Sequence, residues 1–267
     1  MIIDFHAHVY PESVASKIIL AAEKKLKITV PCTGSPEDLR LCMKGSGIDK
    51  SVILPLARGQ EDVSSLNEWI QSVSGDGLLS FGAIHPLMEG LEAELDRLKA
   101  RGVKGVKMMP LLQKVYPDDP ACGRLYSELI ERDMIMVAHA GGDPLNRNEV
   151  YGTPKRFSEM IQSYPELRVV LAHLGGLRMW DEVYKYILPA AGNVFFDTSY
   201  VSFYASEAEL ERMIRDIGVE RILFGSDYPW EDPGRAARII GSLELTDGER
   251  EDVLWRNAAM LLESPNP

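Results

Sequence analysis

The sequence predicts an α/β fold, a single (β/α)8 barrel over residues 1–267. Three observations carry this reading. Eight short apolar runs alternate with amphipathic stretches, the pattern of a parallel sheet with crossover helices. Most runs are continuous rather than alternating, as strands covered on both faces are. The five histidines all fall at or just beyond the end of a run, where a barrel gathers its reactive groups. The chain length of 267 residues suits one such barrel, which typically takes about 250.

The eight strands are expected at Ile2–His6, Ser51–Leu56, Leu79–His85, Gly105–Met109, Met134–His139, Arg168–His173, Val194–Thr198 and Arg221–Gly225. Residues 11–47 exceed one connection and predict an inserted helical segment after strand one. Glu89–Arg101 carries Leu91, Leu95 and Leu98 at helical spacing and stops at Gly102. Ser206 with Glu209, and Thr246 with Glu249, have the spacing of capping boxes, opening helices to Ile217 and to about Leu262. An open doubly wound sheet is the rival. No G-x-G-x-x-G follows strand one, so its dinucleotide-binding version loses support.

Composition narrows the function. With 29 basic and 40 acidic residues the net charge is −11, which disfavours nucleic acid and anionic membrane as partners and leaves a small-molecule substrate. Cys32, Cys42 and Cys122 form no C-x-x-C pair, and this sparse, odd set suits a reducing cytoplasm. The start Met1-Ile2-Ile3-Asp4 lacks the pattern of a signal peptide, and no apolar run approaches a bilayer span. A cytoplasmic location is expected, and a homodimer is left open.

His6-Ala7-His8 puts two imidazoles on one side of an extended backbone, because strand side chains alternate. Both rings can reach one ion. Alone the pair is a weak signal; His139 at the end of strand five and the Gly225-Ser226-Asp227 turn after strand eight strengthen it. Three imidazoles and a carboxylate make a mixed nitrogen and oxygen donor set with room for a water. Strand eight closes the barrel beside strand one, so Asp227 is expected near His6 and His8. It could bind the metal, take a proton from metal-bound water, or do both; capping a turn is its bland alternative.

His173 is read as a ligand or as a free acid/base, the latter in a one-metal site. Glycines follow both His139 and His173, allowing tight turns and close approach. His85 before Pro86 is read as a loop hydrogen-bonding residue. Lys107 inside strand four could pair with a carboxylate, hold a substrate anion or bridge two metals if carbamylated. Arg58 past strand two is a second anion clamp, with solvation as its alternative. Trp180, Tyr228 and Trp230 follow strands on the same rim and could line a pocket, Trp230 against substrate, or pack loops.

The segments Asp4-Phe5-His6-Ala7-His8, Gly105-Val106-Lys107, Val137-Ala138-His139-Ala140-Gly141, Leu171-Ala172-His173-Leu174-Gly175-Gly176 and Phe224-Gly225-Ser226-Asp227-Tyr228-Pro229 occur in this order. Together they resemble the amidohydrolase superfamily, in the branch that includes aminocarboxymuconate semialdehyde decarboxylase. The resemblance implies a slightly distorted TIM barrel with one divalent metal ion, zinc first and manganese second. It makes His6, His8, His139 and Asp227 the ligands, and His173 the histidine that activates water or handles the substrate proton. Relatives often carry a histidine after the strand-four lysine. Here Met108 and Met109 follow Lys107, which disfavours a bridged two-metal centre.

Two reactions fit such a site. Hydrolysis of a small carboxylate, lactone or amide-type metabolite by metal-activated water is the first expectation. Non-oxidative decarboxylation of an unsaturated or aromatic acid is the alternative. A binding protein that has lost catalysis is disfavoured because all four ligand positions are filled. A TatD-like nuclease would share the H-x-H start, but the −11 charge speaks against it.

Overall fold

The structure, a computed structural model, describes residues 1–146, 149–190 and 192–263. The strands observed are β1 (Ile3–Ala7), β2 (Lys50–Ile53), β3 (Leu78–Ser80), β4 (Gly82–Ala83), β5 (Gly105–Met108), β6 (Ile135–Ala138), β7 (Val169–Leu171), β8 (Val194–Asp197) and β9 (Ile222–Leu223). Each expected run holds a strand, generally shorter than the run. The run Leu79–His85 is not one strand: the sheet ladder breaks at Phe81, giving β3 and β4. A continuous apolar run marks burial, and burial does not say where a ladder stops. Among the described residues no helix is long and apolar enough to cross a membrane.

Two compact units divide the described chain. The first takes Met1–Ile53, Val73–Leu79 and Asp197–Glu263. Within it β1 pairs in parallel with β2, aligning Ile3 with Lys50 and Asp4 with Ser51. On the other edge of β1, the Phe5 N–H donates to the Phe224 carbonyl at 2.7 Å, and the His8 N–H to the Tyr228 carbonyl at 2.6 Å. The Asp227 N–H donates back to the His6 carbonyl at 2.8 Å. The end of the chain's strand series thus lies beside its beginning, as expected for strand eight and strand one. Every residue of β1 is buried, the polar Asp4 and His6 included.

The inserted segment 11–47 forms two helices, Glu12–Leu26 and Pro36–Ser46. The second is defined at both ends. The Ser35 hydroxyl accepts from the Asp38 N–H at 3.1 Å, Pro36 opens the first turn, and Gly47 closes the last at φ 69°. A cap of this kind contributes about 1 kcal/mol. Helix Pro233–Ser242 packs on it and is capped in the same way, the Asp232 carboxylate accepting from the Arg235 N–H at 2.6 Å. Both expected capping boxes are present, Ser206 with Glu209 and Thr246 with Glu249. The helix after Thr246 is not uniform: Asp247–Glu251 passes through a π-turn, Asp252–Arg256, before Asn257–Glu263.

The second unit takes Leu54–Ser72 and Ser80–Phe196. Its strands β4, β5, β6, β7 and β8 are parallel neighbours in sequence order. Helix Leu91–Ala100 turns Leu91, Leu95 and Leu98 inward to complete burial; each leucine so buried stabilises by about 2 kcal/mol. The registers align Lys107 with Val137 and Val137 with Val170. Since neighbours in register share a face and side chains alternate, Lys107 projects on the same face as His139, two residues past Val137.

Candidate metal centre

In the first unit, the alternation of β1 delivers His6 and His8 to one point. Their Nε2 atoms lie 3.2 Å apart, with the rings nearly perpendicular at 83°. Asp227 joins them, its Oδ1 3.5 Å from His6 Nε2 and 3.4 Å from His8 Nε2. All three residues are buried. Two imidazole nitrogens bound to one tetrahedral ion at about 2.0–2.1 Å lie about 3.3 Å apart. The observed spacing matches, so the residues present fit a divalent ion with a nitrogen and oxygen donor set.

Asp227 reaches this point through backbone geometry that few residues adopt. Its φ is 63°, in the left-handed region, and its N–H is held on the His6 carbonyl. Aspartate tolerates this conformation better than most residues. Gly225 allows the close approach just before it: a β-carbon there would stand 2.9 Å from His6 Cβ and 3.3 Å from Ser199 Cβ.

The structure adds two carboxylates to which the sequence pattern assigns no role. Asp197, fully buried at the end of β8, places Oδ2 2.7 Å from His6 Nδ1. Its Oδ1 accepts from the Ser199 N–H at 3.1 Å and from the Ser199 hydroxyl. A carboxylate facing Nδ1 keeps the proton there and leaves the Nε2 lone pair for an ion. Its signal in the sequence is Phe195-Phe196-Asp197, an acid ending an apolar run, but an acid in that place is also an ordinary turn residue.

Asp4 is the second. It accepts from the His6 N–H at 3.1 Å, the Ser226 N–H at 2.9 Å and the Ser226 hydroxyl at 2.6 Å. It therefore ties β1 to the turn that carries Asp227. Burial pushes its pKa up to about 7, against the hydrogen bonds from Ser226 and His6.

In the second unit, His139 and His173 pair with each other. His173 Nε2 lies 3.0 Å from His139 Nδ1, and His139 Nε2 lies 3.2 Å from the Gly142 carbonyl. A carbonyl can only accept, so the Nε2 proton of His139 belongs on that contact and its Nδ1 presents a lone pair. His173 sits at φ 58° and its carbonyl accepts from the Trp180 indole N–H at 3.1 Å. The glycine turns behind these histidines pack on each other. Gly141 bridges to Leu177, and a side chain at Gly141 would collide with the 176–177 backbone.

The remaining expected residues differ in their surroundings. Lys107 is buried on β5. Arg58 is exposed, and its backbone N–H donates to Asp62 Oδ2 at 3.2 Å. Trp180 and Trp230 are half-buried. Tyr228 packs a loop rather than lining a pocket: its hydroxyl accepts from the Gly34 N–H at 3.0 Å and lies 2.8 Å from Asp38. His85 serves its loop, Nδ1 accepting from the Leu87 N–H at 3.3 Å.

A family model described as amidohydrolase matches residues 3–263. Among curated proteins, γ-resorcylate decarboxylase of Polaromonas sp. (strain JS666) is 27% identical over 121 residues, 40% of this chain. That match spans 37% of the relative's own length. Among solved structures, an uncharacterised TIM-barrel protein of Bordetella bronchiseptica superposes with a TM-score of 0.78 at 18% identity, covering 98% of both chains. A dihydroxybenzoic acid decarboxylase of Polaromonas sp. JS666, solved with manganese and the inhibitor 2-nitroresorcinol, gives 0.73 at 17% identity, covering 98% of this chain and 96% of its own. These likenesses show the (β/α)8 barrel that the sequence predicts. They overturn the first functional expectation. The curated relative and the solved relative with a bound inhibitor are both named as decarboxylases, so hydrolysis by metal-activated water is withdrawn in favour of the alternative. Zinc as the first-ranked ion is likewise not supported by a relative that holds manganese.

Proposed function

This chain belongs to the amidohydrolase family, and we propose that it is a metal-dependent, non-oxidative decarboxylase of a hydroxylated aromatic carboxylic acid. One observation carries the reading: His6 Nε2, His8 Nε2 and Asp227 Oδ1 converge within 3.5 Å of one another. The relatives' names supply the direction of the chemistry, decarboxylation of γ-resorcylate and of dihydroxybenzoic acid.

A divalent ion on His6, His8 and Asp227 would supply positive charge against which a substrate's carboxylate and phenol oxygens can settle. Manganese is assigned first, after the solved decarboxylase that holds it, and zinc second because the same donors suit both. His139 is assigned as a further ligand. In the reaction the bond between ring carbon and carboxylate breaks, CO2 leaves, and the electron pair stays on the ring carbon. That carbon takes one proton, so no oxidant or reductant is consumed. Asp227 is assigned to hold and hand over that proton at a carboxylate oxygen. His173 is assigned as the second proton carrier. Lys107, a buried cation, is assigned to a substrate anionic group, and Trp230 to the ring face.

The test is to strip the protein of metal, reload it with Mn²⁺ or Zn²⁺ and supply a panel of hydroxybenzoates in D2O. The expected result is CO2 release with one deuterium on the vacated ring carbon, both lost on chelation. A folded, metal-loaded protein that leaves every member of the panel intact refutes the reading.

A further inference from the structure

Cys32 and Cys42, ten residues apart, meet in the first unit beside Asp232, 190 residues further along the chain. Cys32 ends the loop that leads to Ser35, Cys42 lies in helix Pro36–Ser46, and Asp232 caps helix Pro233–Ser242. Their sulfur and carboxylate atoms all lie within 4.8 Å of one another. Cys32 is buried, while Cys42 and Asp232 are half-buried, leaving a route from solvent. None of the three belongs to the His6, His8 and Asp227 cluster.

We infer that Cys32, Cys42 and Asp232 form a second metal site, for one thiophilic divalent cation of the zinc class. Thiolates select soft and borderline ions, and two thiolates with a carboxylate leave the fourth tetrahedral position to water. Metal–sulfur bonds of about 2.3 Å put two thiolates about 3.8 Å apart, so the side chains need only contract slightly. A disulfide would use two of the three donors and give Asp232 no part. A cation uses all three. Burial is the main cause that raises both thiol pKa values, so the thiols stay protonated without an ion; the carboxylates of Asp38 and Asp232 add negative charge that a cation would offset. Arg238 lies 3.8 Å from Asp232 Oδ1, the oxygen that also caps the helix, so Oδ2 is the oxygen assigned to the ion.

The ion would cross-link three elements that meet the turn carrying Asp227. Gly34, two residues beyond Cys32, donates its N–H to the Tyr228 hydroxyl. A β-carbon on Gly34 would lie 3.5 Å from Pro229. Filling the cysteine site thus braces Tyr228 and Pro229, which directly follow Asp227.

Cadmium alone is the probe, titrated into the metal-stripped, reduced chain and followed by thiolate-to-cadmium absorption in the ultraviolet. The band should saturate at one equivalent of cysteine-bound ion in the wild type. Cys32→Ser and Cys42→Ser should each abolish it, and Cys122→Ser should leave it intact. Asp232→Asn, which preserves the helix cap, should weaken the cysteine-site affinity about tenfold. Because the band should survive His6→Ala combined with His8→Ala, failure of the histidine centre is read separately. The inference is overturned by absence of the band in folded wild type, by its survival in both serine variants, or by a chain two hydrogens lighter with Cys32 joined to Cys42.

Discussion

Asp197→Asn is a substitution of one atom whose effect on the metal centre follows from hydrogen-bond direction. Asp197 Oδ1 receives two donors from Ser199, its N–H and its hydroxyl, while Oδ2 faces His6 Nδ1 at 2.7 Å. In the asparagine variant the carbonyl oxygen must stay on Ser199, because turning the amide would set NH2 against an N–H, at a cost of about 1–3 kcal/mol. The NH2 group then faces His6 Nδ1. Facing that donor, Nδ1 accepts and the ring proton moves to Nε2, occupying the lone pair an ion needs; the Ser199 hydroxyl, 3.1 Å from Nδ1, is an acceptor that opposes the shift. Loss of such a partner typically weakens metal binding about 10–100-fold, or about 1.4–2.7 kcal/mol, and forcing the wrong tautomer places this variant at the upper end. The assay is competition for Mn²⁺ or Zn²⁺ against a chromophoric chelator, with thermal unfolding of the metal-free protein as the folding control. A folded Asp197→Asn protein that binds either ion within about twofold of wild type refutes the tautomer argument.

Other predictions concern the neighbouring residues. His139→Ala should abolish metal retention, whereas His173→Ala should retain the ion and lose turnover; elemental analysis beside CO2 release separates them, and metal loss in both variants would make His173 a ligand. Gly225→Ala drives a β-carbon against those of His6, Ser199 and Asp197. None of these atoms can rotate away, so we expect a loss of about 1–3 kcal/mol in denaturant unfolding together with weaker metal binding. Burial pushes the pKa of Glu231 up to about 7, although Ser202 and Arg235 hydrogen-bond it. With the folded pKa above the unfolded one, its stabilising contribution is full below about pH 4.5 and is lost as pH rises through 7, an effect of about 3 kcal/mol. Glu231→Gln should shrink the stability difference between pH 5 and pH 8 measured by urea unfolding; an unchanged difference would place that pH dependence elsewhere.

Much of the fold and of the metal centre is legible in the amino-acid sequence. Local pattern locates each strand, because a chain segment covered on both faces is mostly apolar. It also locates His6, His8 and Asp227 at strand ends, and the adjacency of the last strand to the first follows from closure of the barrel. What escapes is set by contacts between distant residues. Asp197 is meaningful only because His6 Nδ1 faces it across 191 positions of sequence. Cys32 and Cys42 look sparse along the chain and become neighbours only once the helix Pro36–Ser46 turns Cys42 back over the preceding loop. Tyr228 groups by position with the rim aromatics, yet its hydroxyl is committed to the backbone of Gly34 and to Asp38, a contact no periodicity announces. The break at Phe81 and the π-turn at Asp252–Arg256 are changes of hydrogen-bond partner within stretches whose apolar pattern does not change.

The pairing of β1 with residues 224–228 also sets a timetable for synthesis. Asp4 and Ser226, which hold the two halves of the histidine and aspartate cluster together, are 222 residues apart. A ribosome adding about 5–20 residues per second needs about ten to forty seconds to span that interval. Throughout it, one edge of a fully buried strand has no partner on the nascent chain, and unpaired edges of this kind are where growing chains associate wrongly. The proposed metal ligands His6, His8 and Asp227 therefore cannot come together during most of translation. Shielding β1 until the last strand emerges is a task for whatever binds the nascent chain, and metal uptake becomes a late, post-synthetic event.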